Sequence, residues 1–112
     1  MNKKSIQIAK STIAIEIEAL RLMSERLGEE FQSAVEIITA SSGRVAVLGM
    51  GKSGIIAKKI AATLASTGTT AFFVHPAEAF HGDLGMIQKD DVVLIISSVS
   101  PLLEIINTTS SF

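Results

Sequence analysis

Three stretches follow one another without a break: Arg44-Val45-Ala46-Val47-Leu48, the glycine-rich turn Gly49-Met50-Gly51-Lys52-Ser53-Gly54, and Ile55-Ile56-Ala57-Lys58-Lys59-Ile60. The first is a strand, the third has the apolar spacing of a helix, and the turn lets the backbone approach a ligand closely. The new helix also offers N–H groups without helical acceptors, so the unit reads as a parallel α/β sheet element with an anion site above it. A Walker A loop would need glycine at Ala46, so that phosphate motif fails. The G-x-G-x-x-G spacing of Gly49, Gly51 and Gly54 fits a dinucleotide fingerprint formally. That reading also wants a carboxylate at the end of the next strand, and Ala71–Val74 runs instead into His75-Pro76, with no acid before Glu78.

The rest of the chain extends this α/β pattern. Ile6, Ile13, Leu20 and Leu27, with a second row at Ile8, Ile15 and Leu22 and Ile17 between them, predict a helix over Ser5–Leu27 with a wide apolar stripe. Gly28 interrupts it. A second helix is expected from Glu29 to Ala40 with Phe31, Val35 and Ile38 buried, then a turn at Ser41-Ser42-Gly43. Strands are expected at Arg44–Leu48, Thr70–Val74 and Val92–Ile96, a helix at Ser53–Ser66, and a long loop from His75 to Gln88. Alternating elements with short, continuously apolar strands imply a parallel sheet covered on both faces.

At 112 residues, 47% apolar and 19% charged, the chain has room for one small globular domain. A net charge of −1 without Trp or Tyr gives no basis for binding nucleic acid or an acidic membrane surface. The absence of cysteine excludes disulfides and thiolate metal sites and suits a reducing cytoplasm. Met1-Asn2-Lys3-Lys4 begins like a secretory leader, but Gln7, Lys10, Ser11 and Thr12 break the apolar core such a leader needs. Apolar runs such as Val92–Ile96 are far too short to span a bilayer.

A second dense stretch is His75-Pro76-Ala77-Glu78-Ala79-Phe80-His81-Gly82-Asp83-Leu84-Gly85-Met86. Together with G-M-G-K-S-G at Gly49–Gly54 and Ala65-Ser66-Thr67-Gly68-Thr69, it resembles the sugar isomerase (SIS) domain of the bacterial D-arabinose-5-phosphate isomerases. Every fixed letter of that family's F-F-V-H-P-x-E-A-x-H-G-D-L-G-M block is met from Phe72 to Met86. The resemblance is close from about Val45 to Ile96 and loose before Gly43. It implies a flavodoxin-like, three-layer α/β/α parallel sheet. The expected organisation is an N-terminal helical arm over residues 1–33 and the front portion of a SIS domain over 34–112. The family sheet has five strands, and a pair of CBS modules often follows it. Against that pattern the chain reads as truncated, with an open strand edge that invites self-association.

The same resemblance implies a cofactor-free interconversion of D-arabinose 5-phosphate and D-ribulose 5-phosphate, on the route to the eight-carbon sugar acid of lipopolysaccharide. Passage through an enediol needs a base, an acid and a group that stabilises the oxyanion. Lys52, His81 and Glu104 align with the residues expected to carry that chemistry; Gly51, Ser53, Gly68, Thr69, His81 and Ser97 align with the substrate site. By themselves, Lys52 reads as a surface lysine, Ser53 as a helix N-cap, and Gly68-Thr69 as a helix C-cap and turn. Glu104 by itself reads as a first-turn helix carboxylate. His75 matches a position associated with an inhibitory zinc, although one histidine is not a zinc site. Where the family reads S-N-S-G-E-S/T-x-E, this chain has Ser97-Ser98-Val99-Ser100-Pro101-Leu102-Leu103-Glu104, so two hydroxyls, a glycine and a carboxylate are replaced. A phosphosugar-binding module or an inactive fragment are therefore the alternatives to an isomerase. The spare apolar row on the first helix implies a homo-oligomer.

Overall fold

The computed structural model describes residues 3–80, 83–97 and 104–107. The chain divides into two compact units, Met1–Ser33 and Ala34–Phe112. The first is dominated by helix α1 (Lys4–Arg26), which buries none of its residues. Its charged side ties Arg21 to both Glu18 and Glu25, which holds Glu18 below, and Arg21 above, their ordinary pKa ranges. The helix ends where Leu27 turns to extended backbone. Helix α2 (Glu29–Ala40) follows. Contrary to the sequence reading, Phe31 and Val35 are exposed, at 53% and 40%. In the last turn of α2, Ile38 packs on the core of the sheet.

The second unit is built on a four-stranded sheet in the order β2-β1-β3-β4. Strands β1 (Val45–Gly49), β2 (Ala71–Val74) and β3 (Val92–Ile96) are parallel, with Val45 level with both Ala71 and Val92. Between β1 and β2 runs helix α3 (Lys52–Ser66). The His75–Gln88 segment, expected as loop, contains helix α4 (Pro76–Phe80) and a 3-10 turn at Asp83–Met86.

The largest departure lies at β4 (Glu104–Asn107), which runs antiparallel to β3 and pairs Glu104 with Ile95 and Asn107 with Val92. The sequence reading placed Glu104 in the first turn of a helix. The β-branched pair Ile105-Ile106 instead closes the open edge of β3, which satisfies backbone groups that a helix there would have left exposed. The sheet is therefore mixed, and its outer strands among the described residues are β2 and β4.

Strand β1 is buried at every position, as a strand covered on both faces should be. On one face Val45, Val47 and Leu94 pack against Ala57 and Ala61 of α3, with Ile38, Ile60, Leu64 and Phe73 around them. The small residues Ala57 and Ala61, one helical turn apart, let α3 lie close to the sheet. On the other face Ala46, Leu48, Val74 and Val93 meet Ala79 of α4, bordered by Phe72, Ile87 and Ile95.

At the amino edge of the strands, the carboxylate of Asp91 is buried, with its side chain 2% exposed. It accepts hydrogen bonds from the backbone N–H groups of Arg44 and Gln88, both at 2.8 Å, and from the Arg44 guanidinium at 2.8 and 3.3 Å. Burial acts most strongly on Asp91 and pushes its pKa up. The Arg44 side chain and the two backbone N–H groups together outweigh it, so the net effect holds the carboxyl below its ordinary range. Arg44 also donates to the Met86 carbonyl at 2.6 Å and lies 4.4 Å over the Phe72 ring.

Candidate functional site

Three parallel strands put their carboxyl ends on one edge of the sheet. The residues that follow them are therefore neighbours: Met50–Ser53 after β1, His75 after β2 and Ser97 after β3. Because β4 runs the other way, its first residue, Glu104, reaches the same edge through its pairing with Ile95. The strands on either side of β1 are reached in opposite directions along the sheet, and α3 and α4 pack on opposite faces. The crevice between the ends of β1 and β3 is thus a topological switch point, where open α/β sheets bind ligands.

The β1–α3 loop is shaped by its glycines. Gly51 has φ 58° and ψ −127°, a conformation that only glycine adopts without strain, and it serves as the N-cap of α3 with no side chain to fill that role. Ser53 was read as the cap, but it stands inside the first turn. Gly49 and Gly54 pack back to back. A Cβ on Gly49 would sit 2.6 Å from the Ser53 carbonyl oxygen, and one on Gly54 2.8 Å from that of Gly49. The helix start is thereby drawn directly over the end of β1.

The first helical acceptors are used by Gly54 and Ile55, whose N–H groups bond to the Met50 and Gly51 carbonyls at 3.2 Å. The N–H groups of Lys52 and Ser53 are left at the helix start, where the macrodipole favours an anion. Ser53 is buried, at 6% exposure. Lys52 is exposed beside it. The charge pattern agrees with this picture. No Asp or Glu occurs between Glu36 and Glu78, while Arg44, Lys52, Lys58 and Lys59 all do, so this part of a nearly neutral chain is cationic. That gap in the acids is a signal the motif reading passed over.

His75 is half-buried and caps α4: its Nδ1 accepts the Ala77 N–H at 3.1 Å, and its carbonyl accepts from Glu78 and Ala79. With Nδ1 used as an acceptor, the neutral ring carries its proton on Nε2, a donor rather than a metal ligand. Among the described residues no group of three or more metal-binding side chains occurs, so they do not make a zinc site around His75. His81 lies outside the described residues.

Gly68 and Thr69 do not join this edge within one chain. They close the far end of α3, about 22 Å away at 1.5 Å per residue. Gly68 takes φ 99° there, and the N–H groups of Gly68 and Thr69 bond to the Ala65 and Leu64 carbonyls. This is a Schellman cap. It delivers the chain to the amino edge of the sheet, where the Thr70 carbonyl accepts from Val45.

Comparison with known proteins agrees with this arrangement. The pattern of the SIS domain family matches residues 38–107. Arabinose 5-phosphate isomerase KdsD of Pseudomonas aeruginosa is 55% identical over 105 residues, which cover 94% of this chain and 32% of that protein. Arabinose 5-phosphate isomerase GutQ of Escherichia coli K12 is 55% identical over 97 residues, 87% of this chain and 30% of GutQ. The chain thus spans about a third of the length of these curated relatives. A solved structure from Escherichia coli CFT073, in complex with arabinose 5-phosphate, superposes with a TM-score of 0.79 at 47% identity, covering 87% of this chain and 52% of that one.

Proposed function

The chain belongs to the SIS domain family, and on that premise we propose that it forms the sugar-phosphate site of an isomerase acting between D-arabinose 5-phosphate and D-ribulose 5-phosphate. The observation that carries this reading is the convergence of a helix start without a side-chain cap, Lys52, the buried Ser53, His75 and Ser97 at one carboxyl edge. Relatives named for this activity, and a structural neighbour solved with arabinose 5-phosphate, support it.

The N–H groups of Lys52 and Ser53 and the Ser53 hydroxyl suit a phosphate or sugar oxygen. The Lys52 ammonium can stabilise the oxygen that gains negative charge as the enediol forms. Isomerisation removes the proton from C2 of the aldose, moves one from O2 to O1 and returns one to C1. We assign these transfers to Glu104 and His81 and read the chemistry as independent of any cofactor. His75, holding α4 with Nδ1, offers its Nε2–H to a sugar oxygen. No helix among the described residues is long and apolar enough to cross a membrane. We locate the reaction in the cytoplasm, where a charged sugar phosphate is retained, and its product on the route to the eight-carbon sugar acid of lipopolysaccharide.

One observation favours a second reading, binding without turnover: Glu104 begins a strand, not the helix its alignment implied. Incubation with D-arabinose 5-phosphate in an NMR tube separates the two. Amide shifts at Gly51–Ser53, His75 and Ser97 with growing ketose signals support the isomerase. Shifts without ketose support the binding module, and no shifts at saturating sugar phosphate refute both.

A further inference from the structure

Strands β2 and β3 both run parallel to β1, so the chain that leaves β2 with His75 must return to the amino edge before β3 begins at Val92. It crosses one face of the sheet to do so. Ala79 of α4 packs there with Leu48 and Val74, Ile87 borders the same cluster, and the 3-10 turn Asp83–Met86 packs against α4. One end of this crossing segment is His75, at the candidate site. The other is Met86, whose side chain is half in solvent at 49% exposure, while its backbone carbonyl accepts from the Arg44 guanidinium at 2.6 Å.

The backbone of Arg44 is fixed on the β3 side, since its N–H bonds to Asp91 and its carbonyl accepts from Val92. From this base the guanidinium lies 4.4 Å over the Phe72 ring, meets Asp91 with two nitrogens, and turns one of them to Met86 as well. Hydrogen bonds from a charged donor are about twice as strong as neutral ones, and a cation suits the carbonyl end of a helical turn. Pairing with Asp91 requires neither the Phe72 ring nor the Met86 carbonyl. Both contacts point to a second role.

We propose that Arg44 is a positioning residue for the sugar-phosphate site. From the opposite edge of the sheet it fixes the far end of the crossing segment. Through α4 it keeps the His75 ring with Nδ1 on the Ala77 N–H, which leaves Nε2–H as the donor to the sugar. This builds on the sugar-phosphate reading of the carboxyl edge, and Arg44 itself touches no substrate.

The test is made in the full-length Asp91→Asn chain, where the ion pair is gone and the bond to Met86 is kept. Adding Arg44→Met removes every donor and leaves an unbranched stem beside Phe72. Affinity for D-arabinose 5-phosphate, from amide NMR titration, should fall about fivefold, as for residues that act through intervening contacts. In the sugar-free chain the ring-nitrogen shifts of neutral His75 should move toward the average of the two tautomers as Nδ1 loses its partner. Arg44→Lys in the same background restores a donor for Met86 and should recover most of both. Phe72→Leu takes away the ring under the guanidinium and should move both readouts the same way by less, which decides the matter if Arg44→Met does not fold. His75 ring shifts that stay unchanged in these variants, or unchanged affinity in a chain that binds, would overturn the proposal. A parent chain that binds no sugar phosphate would refute the site reading instead, and the ring shifts, which need no ligand, would still decide whether Arg44 positions His75.

Discussion

Replacing Asp91 tests the account of how the sheet is held at the edge opposite the site. Its carboxylate is the acceptor for two backbone N–H groups and two guanidinium N–H groups, at 2.8 to 3.3 Å. In Asp91→Ala the backbone N–H groups of Arg44 and Gln88 lose their partner in a buried setting, at about 1–3 kcal/mol each. Severing a buried ion pair costs about 3–5 kcal/mol in all. The lower part of that range applies, because the Arg44 side chain is 35% exposed and keeps its bond to Met86 and its place over Phe72. We therefore expect a loss of about 3 kcal/mol. With a urea slope of about 1.5 kcal/mol per M, the unfolding midpoint should fall by about 2 M. Asp91→Asn keeps one acceptor oxygen and should lose less.

The pH dependence has a definite sign. The Asp91 carboxyl is held below its ordinary range in the folded chain. Its contribution is therefore complete above the unfolded carboxylate pKa of about 3.9 and is lost as pH falls through the lower folded value. Urea midpoints followed by circular dichroism between neutral pH and about pH 2 should show a steeper acid decline in the parent chain than in Asp91→Asn. Asp91 lies far from the candidate site, so affinity for the sugar phosphate should stay unchanged where the variant is folded. Parallel acid profiles, or an Asp91→Ala midpoint equal to that of the parent, would refute the reasoning.

Other expectations bear on the site itself. Lys52→Ala should abolish detectable isomerisation, or weaken binding at least tenfold if the chain only binds, with a thermal midpoint close to that of the parent because Lys52 is exposed. Unchanged affinity and rate would remove Lys52 from the site. Gly54→Ala forces a Cβ to 2.8 Å from the Gly49 carbonyl, and should cost about 1–3 kcal/mol by urea titration as α3 is pushed off β1. Gly51→Ala carries a side chain into φ 58° with open space around it. Strain alone should cost about 1–3 kcal/mol, and sugar-phosphate affinity should fall with it as the helix start is re-aimed.

Local chemistry explains what could be read in advance. The apolar run of β1, the loop glycines and the spacing of α3 each act within a few residues, so the strand–loop–helix unit was legible, as was the Gly68 cap. The family blocks singled out Lys52, Ser53, His75 and Ser97, and the parallel register brings them to one edge. They could not show that Gly51, not Ser53, caps α3, because the sharp approach of Gly49 to Gly54 decides where the helix begins. His75 as the cap of α4 was hidden for a related reason: a ring nitrogen accepting the N–H two residues on looks like any other histidine in a sequence.

What the sequence determined by itself is therefore the order of elements, the glycine turn, the polarity of α1 and the family to which the blocks belong, since each depends on near neighbours along the chain. Tertiary structure alone decided the rest. Arg44 and Asp91, 47 positions apart, become partners only when β1 and β3 lie side by side. Glu104 enters a strand, not a helix, because β3 offers an unpaired edge, and backbone groups with no local partner take the one the fold presents.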